Sequence, residues 1–473
     1  MLFAGRSEIV RVPALSSVLS DFISEQPKVS DTIAENMLLA DTVVEQGISD
    51  TIGALNVSDT VHKAPIELPE PLPQASATLN LPLFYAALRE ANKHPVRIVH
   101  LGDSQIEEDR ISMIIRWRLQ DKFGGGGIGL VPMVQTIPTY TAKQSIEKDG
   151  KPLPYTYVKR YVAYGPSVMR LKNSDYYGPM AQVAYVNEPI DVNIELLRDR
   201  VPTRSYDRIR ILYSDSIEVA IVPDSLERRR QLLTYQHDTL TETMRQLVIE
   251  LDTMHRSNII RISGEGYVYG LSLETKNGVQ IDNIPMRGAA GTNFTTMAQE
   301  PFTAYFRETS TRLLIMQFGG NAMPAIKSRT AVERYVETMR AQIRYILNDY
   351  KDASLLFIGP SDMITVVDGE QMSYPMLPYL DRQLQQMIEE EGGAYYSMFR
   401  KMGGAGSMVA WKEKGLAGED MIHFTRAGAK KVGEMLAKQL LEDFEQISAV
   451  SNQQSVVSNQ QSDSINSEAI NND

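Results

Sequence analysis

The chain has no cysteine, which excludes disulfides, thiolate metal sites and a cysteine nucleophile. No run of about 18 apolar residues occurs, so no membrane-spanning helix is expected. Basic residues are outnumbered, 48 Lys and Arg against 59 Asp and Glu, for a net charge of −11. That balance argues against nucleic acid, or an anionic membrane surface, as a partner held by charge. Residues 1–19 lack both the continuous apolar stretch and the charged leading segment of a secretory signal. The expectation is either a cytosolic protein or a start downstream of an export signal. Of the six histidines, His62, His94, His100, His237 and His255 show no metal-ligand spacing and read as structural or solvated. Neither a metal nor an organic cofactor is expected.

What is present falls into regions of different texture. In the first seventy-odd residues Asp-Thr recurs every nine or ten positions, at Asp31, Asp41, Asp50 and Asp59. The stretch ends in the proline-rich Ile66-Glu67-Leu68-Pro69-Glu70-Pro71-Leu72-Pro73, which favours extended chain. Residues 1–75 therefore read as a low-complexity spacer. At the other end, 447–473 is polar and nearly duplicates itself, the composition of a disordered tail. Between them, apolar runs of strand length alternate with helical patterns. Strands are predicted over 96–101, 313–318, 355–358 and 394–399, and helices over 111–123, 378–391 and 426–444. That alternation argues for βαβ units and a parallel sheet. The segment 131–285 breaks the rhythm with short strand-like pieces and frequent turn residues, as in an all-β sandwich or jelly roll. Because α/β pattern lies on both sides, it reads as an insertion into one domain made of 76–130 and 286–446.

The chemistry concentrates in three places. The first predicted strand stops abruptly at Gly102-Asp103-Ser104 and leads into a helix. A parallel strand delivers the residues after it to the sheet's C-terminal rim, where open α/β folds place their ligands. The second is Phe318-Gly319-Gly320-Asn321, closing another apolar strand. The third is Asp420-Met421-Ile422-His423, directly before the last helix. Acyl transfer needs a nucleophile, a base to take its proton, a group orienting that base, and donors for the oxyanion. Ser104 suits the first role and His423 the second, since imidazole ordinarily titrates near neutrality. Asp420, three residues earlier, can fix the tautomer. Each element also has a plainer reading. Gly102 to Ser104 makes a capped strand-to-helix turn, Asp420 to Thr425 a helix start with Thr425 as cap, and Gly319 to Asn321 a simple turn. The run Gly124 to Gly129 lacks the Gly-Lys-Ser/Thr ending of a phosphate loop and reads as a helix exit.

Gly-Asp-Ser, Gly-x-Asn and Asp-x-x-His in that order resemble the SGNH (GDSL-type) serine hydrolases. Gln105 after Ser104, with Arg118-Leu119-Gln120-Asp121-Lys122-Phe123-Gly124 and Gly127-Ile128-Gly129, looks like the branch containing bacterial peptidoglycan O-acetylesterases. The resemblance implies an α/β fold with a parallel sheet flanked by helices and an inserted β-rich, carbohydrate-binding-like unit. It also implies a glycine between the first two blocks, for which Arg287-Gly288-Ala289-Ala290-Gly291 fits. The oxyanion donors are then the N–H groups of Ser104 and Gly291 and the amide of Asn321. The implied activity is removal of O-acetyl groups from a cell-envelope glycan, in the periplasm or envelope. Ala322 follows Asn321 where many members carry an acidic residue. Two other functions use the same features: an O-acetyltransferase with the same residues, and a non-catalytic glycan-binding envelope protein. Tyrosines of the insert, Tyr176 and Tyr177 among them, are candidates for stacking on sugar rings, although tyrosine is also an ordinary sheet residue.

Overall fold

The computed structural model describes residues 78–198, 202–214, 216–222 and 234–470, with side chains as far as 450. The expected spacer over 1–75 lies outside the described residues. Five strands form a parallel sheet: β1 Pro95–Gly102, β2 Gly278–Pro285, β3 Thr311–Gln317, β4 Ser354–Ile358 and β5 Ala394–Tyr396. Their spatial order is β2-β1-β3-β4-β5, and every pair is parallel. Such strands are buried on both faces, which is why β1 reads as an almost continuous apolar run.

Alternation along the strands sorts the core into two layers. Ile98, Ile315 and Leu356 face α1 (Ser112–Phe123) and the first part of α5 (Arg426–Ile470), where Ile115, Leu119, Val432 and Leu436 meet them. Leu101, Leu314 and Phe357 face α2 (Glu300–Glu308), α3 (Arg329–Leu347) and α4 (Leu377–Glu390), through residues such as Phe302, Met339 and Leu384. The order reverses direction between β1 and β3, which opens a crevice at their C-terminal ends.

Two antiparallel sheets fill the interval between β1 and β2, one of seven strands and one of five. Ile146, Val192 and Ile260 of the smaller sheet pack on Ile209, Ile211 and Leu271 of the larger. This is the expected sandwich, but its limits differ from the expected 131–285. Gly127–Val131 already pairs with Gly266–Glu274 in the larger sheet. Gly278–Pro285 is β2, an edge strand of the parallel sheet. The pattern Val279-Gln280-Ile281-Asp282 alternates like its predecessors, and alternation does not say which sheet a strand joins.

Nor does the sandwich stand apart from the parallel sheet. Leu212, Met180 and Tyr269 on its outer face share one core with Met286, Phe294 and Phe302. A buried polar network crosses the same seam. Arg97 of β1 donates to Asp282 of β2 at 2.6 Å and pairs with Glu274 of the larger sheet, which also meets Arg210 at 3.2 Å. The Tyr305 hydroxyl donates to Asp282 at 2.7 Å.

Two local expectations change. The strand predicted over 394–399 ends at Tyr396, and Ser397 caps a short helix, Met398–Met402. The backbone of α5 runs to Ile470, through the stretch from 447 read as a disordered tail. No glycine or proline interrupts residues 447–470, so nothing local stops the helix begun at Arg426.

Candidate active site

β1 ends at Gly102, and Asp103 caps the 3₁₀ helix Ser104–Asp109 by accepting from the Gln105 N–H at 2.9 Å. Capping thus falls to Asp103 and leaves the Ser104 hydroxyl uncommitted to its own turn. That hydroxyl lies 2.9 Å from His423 Nε2. His423 Nδ1 lies 2.7 Å from Asp420 Oδ2. The other Asp420 oxygen accepts from the N–H groups of Ile422 and His423, at 3.0 and 3.1 Å. One carboxylate therefore builds the loop and orients the ring. Met421 holds a left-handed φ of 52° in this turn, a strained conformation for a long side chain. Thr425 accepts from the Gly428 N–H at 3.2 Å, so the helix start has its own cap and does not need Asp420. Partial burial pushes the Asp420 carboxyl up, but its hydrogen bonds from the His423 ring and the two backbone donors outweigh this and hold it below its ordinary value.

Residues separated by more than 300 positions in the chain are held together by Gln105, quoted above only as part of the resemblance, and by Arg110, which sequence reasoning did not single out. The Gln105 amide donates to the Ile422 carbonyl at 2.8 Å and accepts from the Phe424 N–H at 3.4 Å, straddling His423. Arg110 donates to the carbonyls of Ser104, Gln105 and Phe424, at 2.6, 2.9 and 3.3 Å. Neither residue carried a sequence signal for this clamping role.

A small cleft, with about 30 Å³ of enclosed space, lies over this group. It is lined by Asp103, Ser104 and Gln105 after β1, Gly320 and Asn321 after β3, Gly359 to Ser361 after β4, and His423. Ser104 opens a helix, so its N–H is among the donors a helix end leaves without an intrahelical partner. The Asn321 amide nitrogen donates to Asp103 Oδ2 at 3.3 Å and to the Ala289 carbonyl at 3.2 Å. Asp103 is buried, and that burial pushes its carboxyl up to about 6.

Gly291 does not line the cavity. Its φ is +81°, and a Cβ there would come within 2.7 Å of Met339 and 2.8 Å of Phe318. That close packing requires glycine at this position. The expected sugar platform changes as well. Tyr177 is buried, and its hydroxyl accepts from the Leu171 N–H at 2.6 Å. Tyr176 is half-buried against the Tyr267 ring, 4.8 Å between centroids. Burial in the shared core withdraws Tyr177 from any ligand. His100 is a buried core residue between Ser112 and Gln317. Among the described residues, no group of three or more His, Cys, Asp or Glu is placed to hold a metal ion. No described helix is long and apolar enough to cross a membrane.

No protein-family model matches the chain, and no curated protein matches it in sequence. Solved structures do. The chain is similar to a peptidoglycan O-acetylesterase at 16% identity and a TM-score of 0.58, covering 78% of this chain and 97% of that one. Further matches are a family two carbohydrate esterase from Clostridium thermocellum (12% identity, TM-score 0.24, 58% and 99% covered) and the acetylxylan esterase Axe2 from Geobacillus stearothermophilus (15%, 0.24, 36% and 73%). The first likeness extends across the parallel sheet and the inserted sandwich together. In fold, this chain resembles the SGNH-type serine esterases with an inserted all-β unit.

Proposed function

We propose that the protein is a serine esterase that removes O-acetyl groups from a bacterial cell-envelope glycan, peptidoglycan foremost. The observation that carries this reading is the continuous hydrogen-bonded line from Ser104 Oγ through both nitrogens of His423 to Asp420, at 2.9 and 2.7 Å. Ser104 Oγ attacks the acetyl carbonyl while His423 Nε2 takes its proton, and Asp420 stabilises the imidazolium that forms. The carbonyl oxygen becomes an oxyanion met by the Ser104 N–H and the Asn321 amide. Collapse breaks the bond to the sugar oxygen, and His423 returns the proton to that oxygen. Water then attacks the acetyl-serine, giving up a proton to His423, and acetate leaves as Ser104 regains its hydrogen.

The glycan part of the reading is supported by the fold shared with a peptidoglycan O-acetylesterase and by a cavity open enough for a side group on a polymer. Such a substrate places the protein in the envelope. The test is acetate release from O-acetylated peptidoglycan, and from an activated acetyl ester with and without an added sugar acceptor. Release into water supports the esterase. Transfer to the acceptor in preference to water assigns the same residues to an acetyltransferase, and no turnover of either ester overturns the enzyme reading.

A further inference from the structure

Asp103 is the residue beside Ser104 that the mechanism above does not use. It is 4% exposed, and no ion pair reaches it among the described residues. One oxygen is occupied in capping the Gln105 N–H. The other, Oδ2, accepts from the Asn321 amide nitrogen at 3.3 Å, while the Ala289 carbonyl accepts from the same nitrogen at 3.2 Å. Two acceptors bracket one end of one carboxamide. A primary amide has two donor hydrogens on nitrogen and none on oxygen, so this bracket decides which end of Asn321 is turned toward the nucleophile's side.

We infer that Asp103 is a positioning residue that holds the Asn321 donor hydrogen toward Ser104 and releases it to the oxyanion when the tetrahedral intermediate forms. The inference rests on the acyl-transfer reading above. In the resting site the carboxylate oxygen occupies the acceptor role that the oxyanion will take, and Ala289 keeps the amide plane from rotating as the exchange occurs. The Asp103 contact is the longer of the two, and Asp103, Ser104 and Asn321 line the same cleft. A donor held beside the position where charge develops needs only a small local shift during the reaction.

The test is a double-mutant cycle on the full chain with an activated acetyl ester. Asp103→Ser retains a helix-capping hydroxyl but not the reach to Asn321, and Asp103→Asn places a second amide there. Each should lower kcat by about 10- to 100-fold with KM within about twofold, as expected for a contact acting mainly in the transition state. With Asn321→Ala already present, adding either change should cost less than about twofold, because Asp103 acts through Asn321. Multiplicative losses, or a change confined to KM, would overturn the assignment. A second measurement needs no turnover. The Asn321 side-chain amide resonances should shift in Asp103→Ser and again when a phosphonate occupies Ser104 as an oxyanion mimic. Unshifted resonances also overturn the inference. Failure of the esterase reading looks different: the parent itself then releases no acetate.

Discussion

Glu274, in the seam where the sandwich packs on the parallel sheet, and Asp103, on the rim beside Ser104, are both nearly inaccessible, at 2% and 4% exposure. Burial nevertheless leaves them in opposite states. Desolvation pushes Glu274 up, but Arg210 and Arg97 more than offset it and hold its carboxyl at about 2. At Asp103 burial prevails, at about 6, against the weaker pull of the Gln105 N–H, His423 and Arg110. The seam encloses its charges in ion pairs. The rim keeps a buried carboxyl whose charge is weakly held, next to the place where the proposed acyl transfer would generate a new anion. Perturbed groups of the second kind gather at sites that do chemistry, and the contrast separates a structural network from the proposed reactive one within one chain.

The comparison breaks most severely if the rim proves inert. Ser104→Ala and His423→Ala should each lower kcat on a small acetyl ester by roughly 10⁴-fold or more, and the double mutant should be hardly worse, since the groups act as a unit. A Ser104→Ala protein retaining a few per cent of activity would remove the nucleophile. At the seam the expected loss is in stability. Arg97→Met leaves Glu274 and Asp282 with one buried cation fewer and should cost about 3–5 kcal/mol in urea unfolding. A cost under about 1 kcal/mol would mean that the shared apolar core alone joins the two β structures. Asn321→Ala comes next, expected to raise the barrier by about 2.7–4 kcal/mol in kcat while leaving KM little changed. A rise in KM alone would make Asn321 a ground-state contact.

The smallest effect is the most direct reading of the contrast itself. A carboxyl raised above its ordinary 3.8 contributes stability that is complete below that value and is lost as pH rises through about 6. Glu274 works the other way: its contribution is present at neutral pH and is lost only as pH falls from about 4.5 toward 2. The Tm of Asp103→Asn, measured against the parent, should therefore move in the variant's favour between pH 4 and pH 7. A flat difference across that range would put Asp103 in the ordinary carboxylate range.

Much of the site was legible because its chemistry uses few residue types at chain positions with strong local signals. Ser104 comes after an apolar run that can only be a buried strand, and His423 with Asp420 precedes a clear amphipathic helix. Gly291 was assigned by its place in a motif order, which carries no information about the close packing against Met339 and Phe318 found there. Tyr176 and Tyr177 were assigned by residue type, and a tyrosine's hydroxyl serves a buried backbone group such as the Leu171 N–H as readily as a sugar. Gln105 and Arg110 act by reaching carbonyls more than 300 residues away, and nothing in a local window reports such a partner.

By itself the sequence determined the strands and helices of the parallel sheet, the β texture of the insert and the choice of candidate reactive side chains. Each comes from local periodicity or from the chemistry of single residues. Only the tertiary structure decided that 278–285 is a strand of the parallel sheet, that the sandwich shares a core and a buried ion network with it, and that the Asn321 amide is held by Asp103. Those outcomes depend on which surfaces meet. Burial, and with it the state of a carboxyl such as Asp103 or Glu274, is a property of the neighbours that folding supplies from distant parts of the chain.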